Sequence, residues 1–152
     1  MPETPAGPPE GTYLGFDFGL RRIGVASGQT ATCTANPLAV IAHGDAPDWA
    51  ALERLVREWR PVGLVVGLPL DPEGEETDMS RRARAFARQL EARFGLPVHY
   101  NDERLTSRAA GELFASLRAS GRARRKDAVR LDAMAAGLIL QNWLKRVRTA
   151  DP

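Results

Sequence analysis

The stretch Tyr13-Leu14-Gly15-Phe16-Asp17-Phe18-Gly19, continued beyond Leu20 by Arg21-Arg22-Ile23-Gly24-Val25-Ala26, decides how this chain folds. An apolar run ends in an aspartate, a short glycine-containing turn follows, and a second apolar run begins. Apolar runs of this length bounded by turn signals are buried strands. A carboxylate at the end of such a strand is costly to desolvate unless a positive charge meets it. Asp17 is therefore a candidate metal ligand. The competing reading makes it a plain cap on the turn at 18–20.

Working outward, strand signals cover 12–17, 23–28 and 32–41, close enough in sequence to be antiparallel neighbours. Pro37 lies inside the third and favours an edge or a bulge there. Pro47 suits the first turn of a helix, with Asp48 near its positive end. Leu52, Leu55, Val56 and Trp59 follow the helical i, i+3, i+4, i+7 pattern, and Pro61 ends it. A buried strand follows over 62–68, then an exposed acidic loop over 71–78. The next helix, over 79–94, has Ala83, Phe86, Ala87, Leu90 and Phe94 on one face and Gly95 as its stop. A short strand spans 96–101, Thr106 caps a helix with Ala110, Leu113, Phe114 and Leu117 on its stripe, and a basic link over 122–126 leads into a last helix over 128–147. The order β-β-β-α-β-α-β-α-α predicts an α/β domain. Its mixed five-stranded sheet would have three antiparallel strands followed by two parallel ones, flanked by helices.

The 152 residues suit one domain, over 12–148, between a proline-rich leader (1–11) and a short tail (149–152). No run approaches the roughly 20 apolar residues of a membrane span. The leader lacks a signal peptide's basic start and apolar segment, so the expected location is cytoplasmic. Cys33 is the only cysteine, which excludes an internal disulfide and a cysteine zinc site and makes it a small buried hydrophobe. The net charge of +2 is unevenly spread, with −3 on residues 1–100 and +5 on residues 101–152.

Two further acids sit where this sheet would bring them to Asp17. Glu103 follows the 96–101 strand in Asn101-Asp102-Glu103-Arg104-Leu105-Thr106, and Asp132 lies in the first turns of the last helix in Leu131-Asp132-Ala133-Met134-Ala135-Ala136. Ligand sites of open α/β sheets collect at the carboxyl ends of strands. Ala135 and Ala136, three and four residues beyond Asp132, would let that helix approach the sheet closely. Three carboxylates at about 4 Å repel by roughly 4 kcal/mol per pair, and a divalent cation removes that cost. An all-oxygen ligand set points to Mg²⁺ or Mn²⁺. Bound there, such ions can activate water and stabilise the leaving oxygen of a phosphodiester. The bland alternatives are a Glu103 pair with Arg104 or Arg108, and Asp132 as a first-turn acid favoured by the helix dipole. Asp102 and Asp127 are rivals read as solvated. His43 and His99 lack partners in sequence and are assigned no chemistry. Trp49, Trp59 and Trp143 are core candidates.

These motifs resemble the YqgF/RuvX family. The resemblance rests on 15–26, on Val66-Gly67-Leu68-Pro69-Leu70, on Asp102-Glu103-Arg104-Leu105-Thr106-Ser107, and on Arg125-Lys126 with 131–136 and 138–141, in this order over 12–144. Members are described as Holliday-junction-resolvase-like nucleases and pre-16S rRNA nucleases. The resemblance implies an RNase H-like fold and makes Asp17, Glu103 and Asp132 the three acidic metal-site residues. Phe18 stands where a smaller residue is expected, which alters packing beside the site but not the ligand set.

Cations lie near each acid: Arg21 and Arg22 after Asp17, Arg104 and Arg108 about Glu103, and Arg124, Arg125 and Lys126 before Asp132. That arrangement suits a site that draws in a polyanion. The function expected is metal-dependent hydrolysis of structured nucleic acid, foremost in pre-16S rRNA processing, with resolution of branched DNA as the alternative. A resolvase that cuts two strands symmetrically is expected to be a homodimer; an rRNA-trimming enzyme needs no partner. A non-catalytic RNA-binding assembly factor would not need three acids. A sugar-kinase-like phosphotransferase shares the Asp17-x-Gly19 turn but needs a second glycine-rich motif and a second domain.

Overall fold

In the computed structural model, residues 8–103 and 125–149 are described. They form β1 (Thr12–Phe18), β2 (Arg22–Gln29), β3 (Thr34–Ala42), α1 (Trp49–Trp59), β4 (Gly63–Leu68), α2 (Asp78–Phe94), β5 (Val98–Asp102) and α3 (Arg125–Thr149). The helix expected from Thr106, and the cations Arg104, Arg108 and Arg124, lie outside the described residues, as do residues 1–7 of the leader. Among the described residues no helix is long and apolar enough to cross a membrane.

The sheet order is β3-β2-β1-β4-β5. β1 is antiparallel to β2, β2 is antiparallel to β3, and β4 runs parallel to both β1 and β5. This is the mixed five-stranded arrangement expected from the sequence, with Asp17 on the central strand. Pro37 is accommodated in both ways foreseen. β3 is an edge, and its register on β2 slips between Val25 and Ala26. A proline removes a ladder donor, which an edge bulge tolerates.

Period-two alternation sends β1 to two cores. Leu14 and Phe16 pack with Ile23, Val66, Leu52, Phe86 and Leu90 against α1 and α2. Tyr13 packs with Val65, Ala136, Leu140 and Trp143 against α3. Asp17, in phase with Tyr13 and Gly15, thus falls on the α3 face.

The helix starts differ from expectation. Pro47 is not helical: Asp48 is the cap of α1, its carboxylate accepting from the Ala51 N–H at 3.2 Å. Its end at Arg60 is left-handed (φ 46°), immediately before Pro61. α2 begins one residue early because Thr77 and Ser80 form a reciprocal capping box. Gly95 ends it in the left-handed conformation, as expected. α3 begins at Arg125, so Arg125 and Lys126 belong to its first turn and not to a preceding link. Cys33 is half-buried, not buried, and sits at φ 53° after β2. Of the tryptophans, Trp143 is buried, while Trp49 and Trp59 are half-buried against the α1/α2 core.

Candidate active site

Asp17 and Glu103 meet at one end of the α3 face with Asp132 nearby, and glycines explain how. Gly24 is the antiparallel partner of Asp17. A Cβ on Gly24 would stand 1.9 Å from the carbonyl oxygen of Asp132, so the backbone of α3 rests directly on β2 at this point. Gly15 and Gly28 continue the contact, with a Cβ at either falling 2.6–2.9 Å from Leu140. On the other flank, Gly67 lies one residue past the Phe16–Val66 pair, beside Asp17. A Cβ there would meet Glu103 Oε1 at 2.6 Å. Two side-chain-free positions next to Asp17 thus admit Asp132 from one side and Glu103 from the other.

This amends the reading that small residues on the helix bring Asp132 in. Ala136 is buried and its carbonyl oxygen lies over Gly15, but Ala135 is only half-buried, and it is Ala133 that packs inward. A glycine inside a strand signals close approach of another backbone. Gly15, Gly24, Gly28 and Gly67 carried that signal in the sequence.

The carboxyls of Asp17 and Glu103 share a hydrogen bond. Burial, then the Glu103 charge and the bond to Glu103, and last the Asp132 charge push Asp17 up to about 8. Glu103 is raised by burial and by the Asp102 charge, and lowered by accepting from Asp17. Both carboxyls are held above the usual carboxylate range, as expected when two acids occupy one site without a cation. Asp102, read as solvated, is the half-buried last residue of β5 and bears on Glu103.

Asp132 is turned differently. Its Oδ2 accepts from Arg22 Nε at 2.7 Å, both side chains being half-exposed. Among the described residues no group of three or more His, Cys, Asp or Glu is gathered as a metal cage. The donor chemistry nonetheless fits a hard divalent cation. Asp17 and Glu103 form an all-oxygen pair that holds a proton where a positive charge is wanted, and Asp132 is near enough to raise Asp17. Arg22 neutralises Asp132.

The two histidines have surroundings that the sequence did not reveal. His43 Nδ1 lies 2.8 Å from the Gly19 carbonyl, and its ring is 5.1 Å from Phe18. His99 is packed between Tyr13 and Trp143, and burial lowers its pKa. Phe18, the residue larger than expected, fills space against Phe86 on the α2 side and leaves the carboxylate face clear.

The strand order, with acids at the ends of β1 and β5 and on the helix crossing them, defines an RNase H-like fold. Solved structures agree. RuvC of T. thermophilus in complex with a Holliday junction substrate superposes with a TM-score of 0.57 at 15% identity, covering 92% of this chain and 97% of that one. Thermus thermophilus RuvC alone gives 0.50 at 14%. At such identities the likeness concerns the fold. The chain belongs to the RuvX family, whose model, described as "Holliday junction resolvase", matches residues 11–146. A relative from Xanthomonas axonopodis pv. citri is 52% identical over 145 residues, covering 95% of this chain and 94% of its own length. One from Xanthomonas oryzae pv. oryzae is 53% identical over the same span. Both carry the name "Putative pre-16S rRNA nuclease".

Proposed function

We propose that this chain is a divalent-metal-dependent nuclease that hydrolyses phosphodiester bonds of structured RNA in pre-16S rRNA processing. One observation carries the reading: the buried carboxyls of Asp17 and Glu103 are hydrogen-bonded at the carboxyl ends of β1 and β5, with Asp132 near. An isolated buried acid pair is electrostatically unfavourable, and a phosphodiester-cleaving metal site has a use for it. The relatives at 52–53% identity, nearly full length on both sides, favour ribosomal precursor RNA as the substrate.

Asp17 and Glu103 would hold Mg²⁺ or Mn²⁺, with Asp132 as a third ligand once turned from Arg22. The cation, when bound, polarises water and phosphoryl oxygen. The chain's own groups do the rest. Gly67 leaves the space that the Glu103 carboxylate occupies, Gly24 fixes the height of Asp132 above the sheet, and Arg21 and Arg22 present charge to the phosphate strand. Arg104, Arg108, Arg124, Arg125 and Lys126 extend that field in the basic final third of the chain.

The test is a cleavage panel of ribosomal precursor RNA, single strands, duplexes and four-way junctions, with Mg²⁺, Mn²⁺ or chelator. Precursor RNA is expected to yield discrete products with either metal and none with chelator, and Glu103→Gln to yield none. Products that persist in chelator or in the Glu103→Gln protein refute the metal-site reading. Symmetric cutting of the junction in preference to RNA moves the assignment to branched DNA and, with it, to a homodimer.

A further inference from the structure

The turn between β1 and β2 carries an arrangement that the carboxylates do not use. Leu20 stands on this turn, 52% exposed, the only large hydrophobic residue so exposed among the described residues. A lone exposed leucine is ordinary on a protein surface. This one is held in place. The His43 backbone N–H donates to the Arg21 carbonyl at 3.0 Å, and His43 Nδ1 donates to the Gly19 carbonyl at 2.8 Å. The two carbonyls bracket Leu20, so one residue clamps the turn on both sides of it. Gly19 is packed so tightly that a Cβ would stand 2.6 Å from the Arg22 carbonyl oxygen. Leu20 is thus presented on backbone that is already ordered, and binding there needs little further ordering.

Beside the turn lies a hollow of about 390 Å³ lined by Gly19, Leu20, Arg21, Arg22, Met79 and Asp132. The hollow is shallow and open to solvent. Its lining is divided. Leu20 and Met79 are apolar, Arg21 and Arg22 are cationic, and Asp132 joins it to the acid cluster. Arg22 is engaged with Asp132, whereas no salt bridge among the described residues engages Arg21. A lining that combines apolar side chains with a guanidinium suits a ligand with an apolar face and an anionic end. A nucleotide has that form, provided its base is unstacked.

We propose that this hollow is a subsite for one unpaired nucleotide next to the bond to be cut, its base against Leu20 and Met79 and its phosphate on Arg21. His43 is the positioning residue of the turn. A base within a duplex is stacked on both faces, so the subsite selects loops, ends and branch points. The proposal rests on the nuclease reading and specifies which part of the substrate lies beside the acids.

The experiment uses the full chain in chelator, so that binding is read without cleavage. A hairpin RNA with 2-aminopurine in its loop is compared with a duplex of equal length, by anisotropy and by 2-aminopurine fluorescence. The wild type is expected to bind the hairpin and change its fluorescence. Leu20→Ser should weaken hairpin binding about ten-fold and abolish the fluorescence change, while duplex binding stays constant. Leu20→Met should restore both, and His43→Ala should give a partial loss. If Leu20→Ser matches the wild type, or weakens hairpin and duplex equally, the subsite is refuted while the nuclease reading stands. If the wild type binds neither RNA in chelator, the subsite is refuted, and the nuclease reading is decided by the cleavage panel with Mg²⁺ or Mn²⁺.

Discussion

Asp17→Asn is expected to lower metal-dependent cleavage by at least about 10³-fold while making the metal-free protein more stable at neutral and alkaline pH. The loss of activity follows from removing the central carboxylate of the acid group. The gain in stability follows from its titration. Asp17 is raised to about 8 from 3.8, chiefly by burial and then by the Glu103 charge and hydrogen bond. Below pH 4 the folded and unfolded chains both carry the proton, and Asp17 costs nothing. Between pH 4 and 8 the unfolded chain releases it and the folded chain keeps it. Stability therefore falls as pH rises through this window and levels off above about 8. Because Glu103 shares the proton, the penalty is put at about 3 kcal/mol, below the full value of the shift. Asn cannot ionise and escapes this cost. Chemical denaturation in chelator at pH 5, 7 and 8.5 checks it: the gap between variant and wild type should widen with pH and close when Mn²⁺ is added to the wild type. A variant no more stable than the wild type at pH 8.5 would show that Asp17 is not held protonated by its neighbours.

Gly24→Ala is expected to disable the enzyme without touching an ionisable group. Its Cβ would lie 1.9 Å from the Asp132 carbonyl oxygen and 2.4 Å from the Asp132 carbonyl carbon, and both obstacles are backbone. No rotamer can relieve the overlap, so α3 must rise off β2 by more than 1 Å. Overpacking of this kind costs about 3 kcal/mol. A displacement of 1 Å at a catalytic group costs about 10²-fold in rate. Both effects should appear together, in the denaturation midpoint and in kcat, with the affinity for RNA in chelator reduced far less. A variant of wild-type stability would mean that α3 does not rest on Gly24 as described. The contrast with Asp17→Asn is useful: one variant loses activity and gains stability, the other loses both.

Much of this architecture was readable in the residues. The alternation in 12–18, the turn at 19–21 and the second apolar run specify an antiparallel pair, and Pro37 marks the edge strand beyond it. Asp17 and Glu103 could be selected because each stands at the end of a strand, and the topology rules place those ends together; Asp132 lies two turns inside α3 and pairs with Arg22. Other features were not legible. The His43 clamp on Gly19 and Arg21 links two hairpin ends through hydrogen bonds that no periodicity encodes. The pairing of Asp132 with Arg22 spans 110 residues and depends on where α3 comes to rest. The capping box of α2, formed by Thr77 and Ser80, has a weak sequence signature, because Ser stands where Glu or Gln is the usual signal.

The chain alone determined the element types and the strand ends, because hydrophobic period and turn residues are local properties. Only the tertiary structure decided which two acids share a hydrogen bond, which one an arginine neutralises, and how closely α3 approaches the sheet. Those outcomes depend on distances of a few tenths of an ångström between residues far apart in sequence. Burial and Coulomb interaction take their values from those distances.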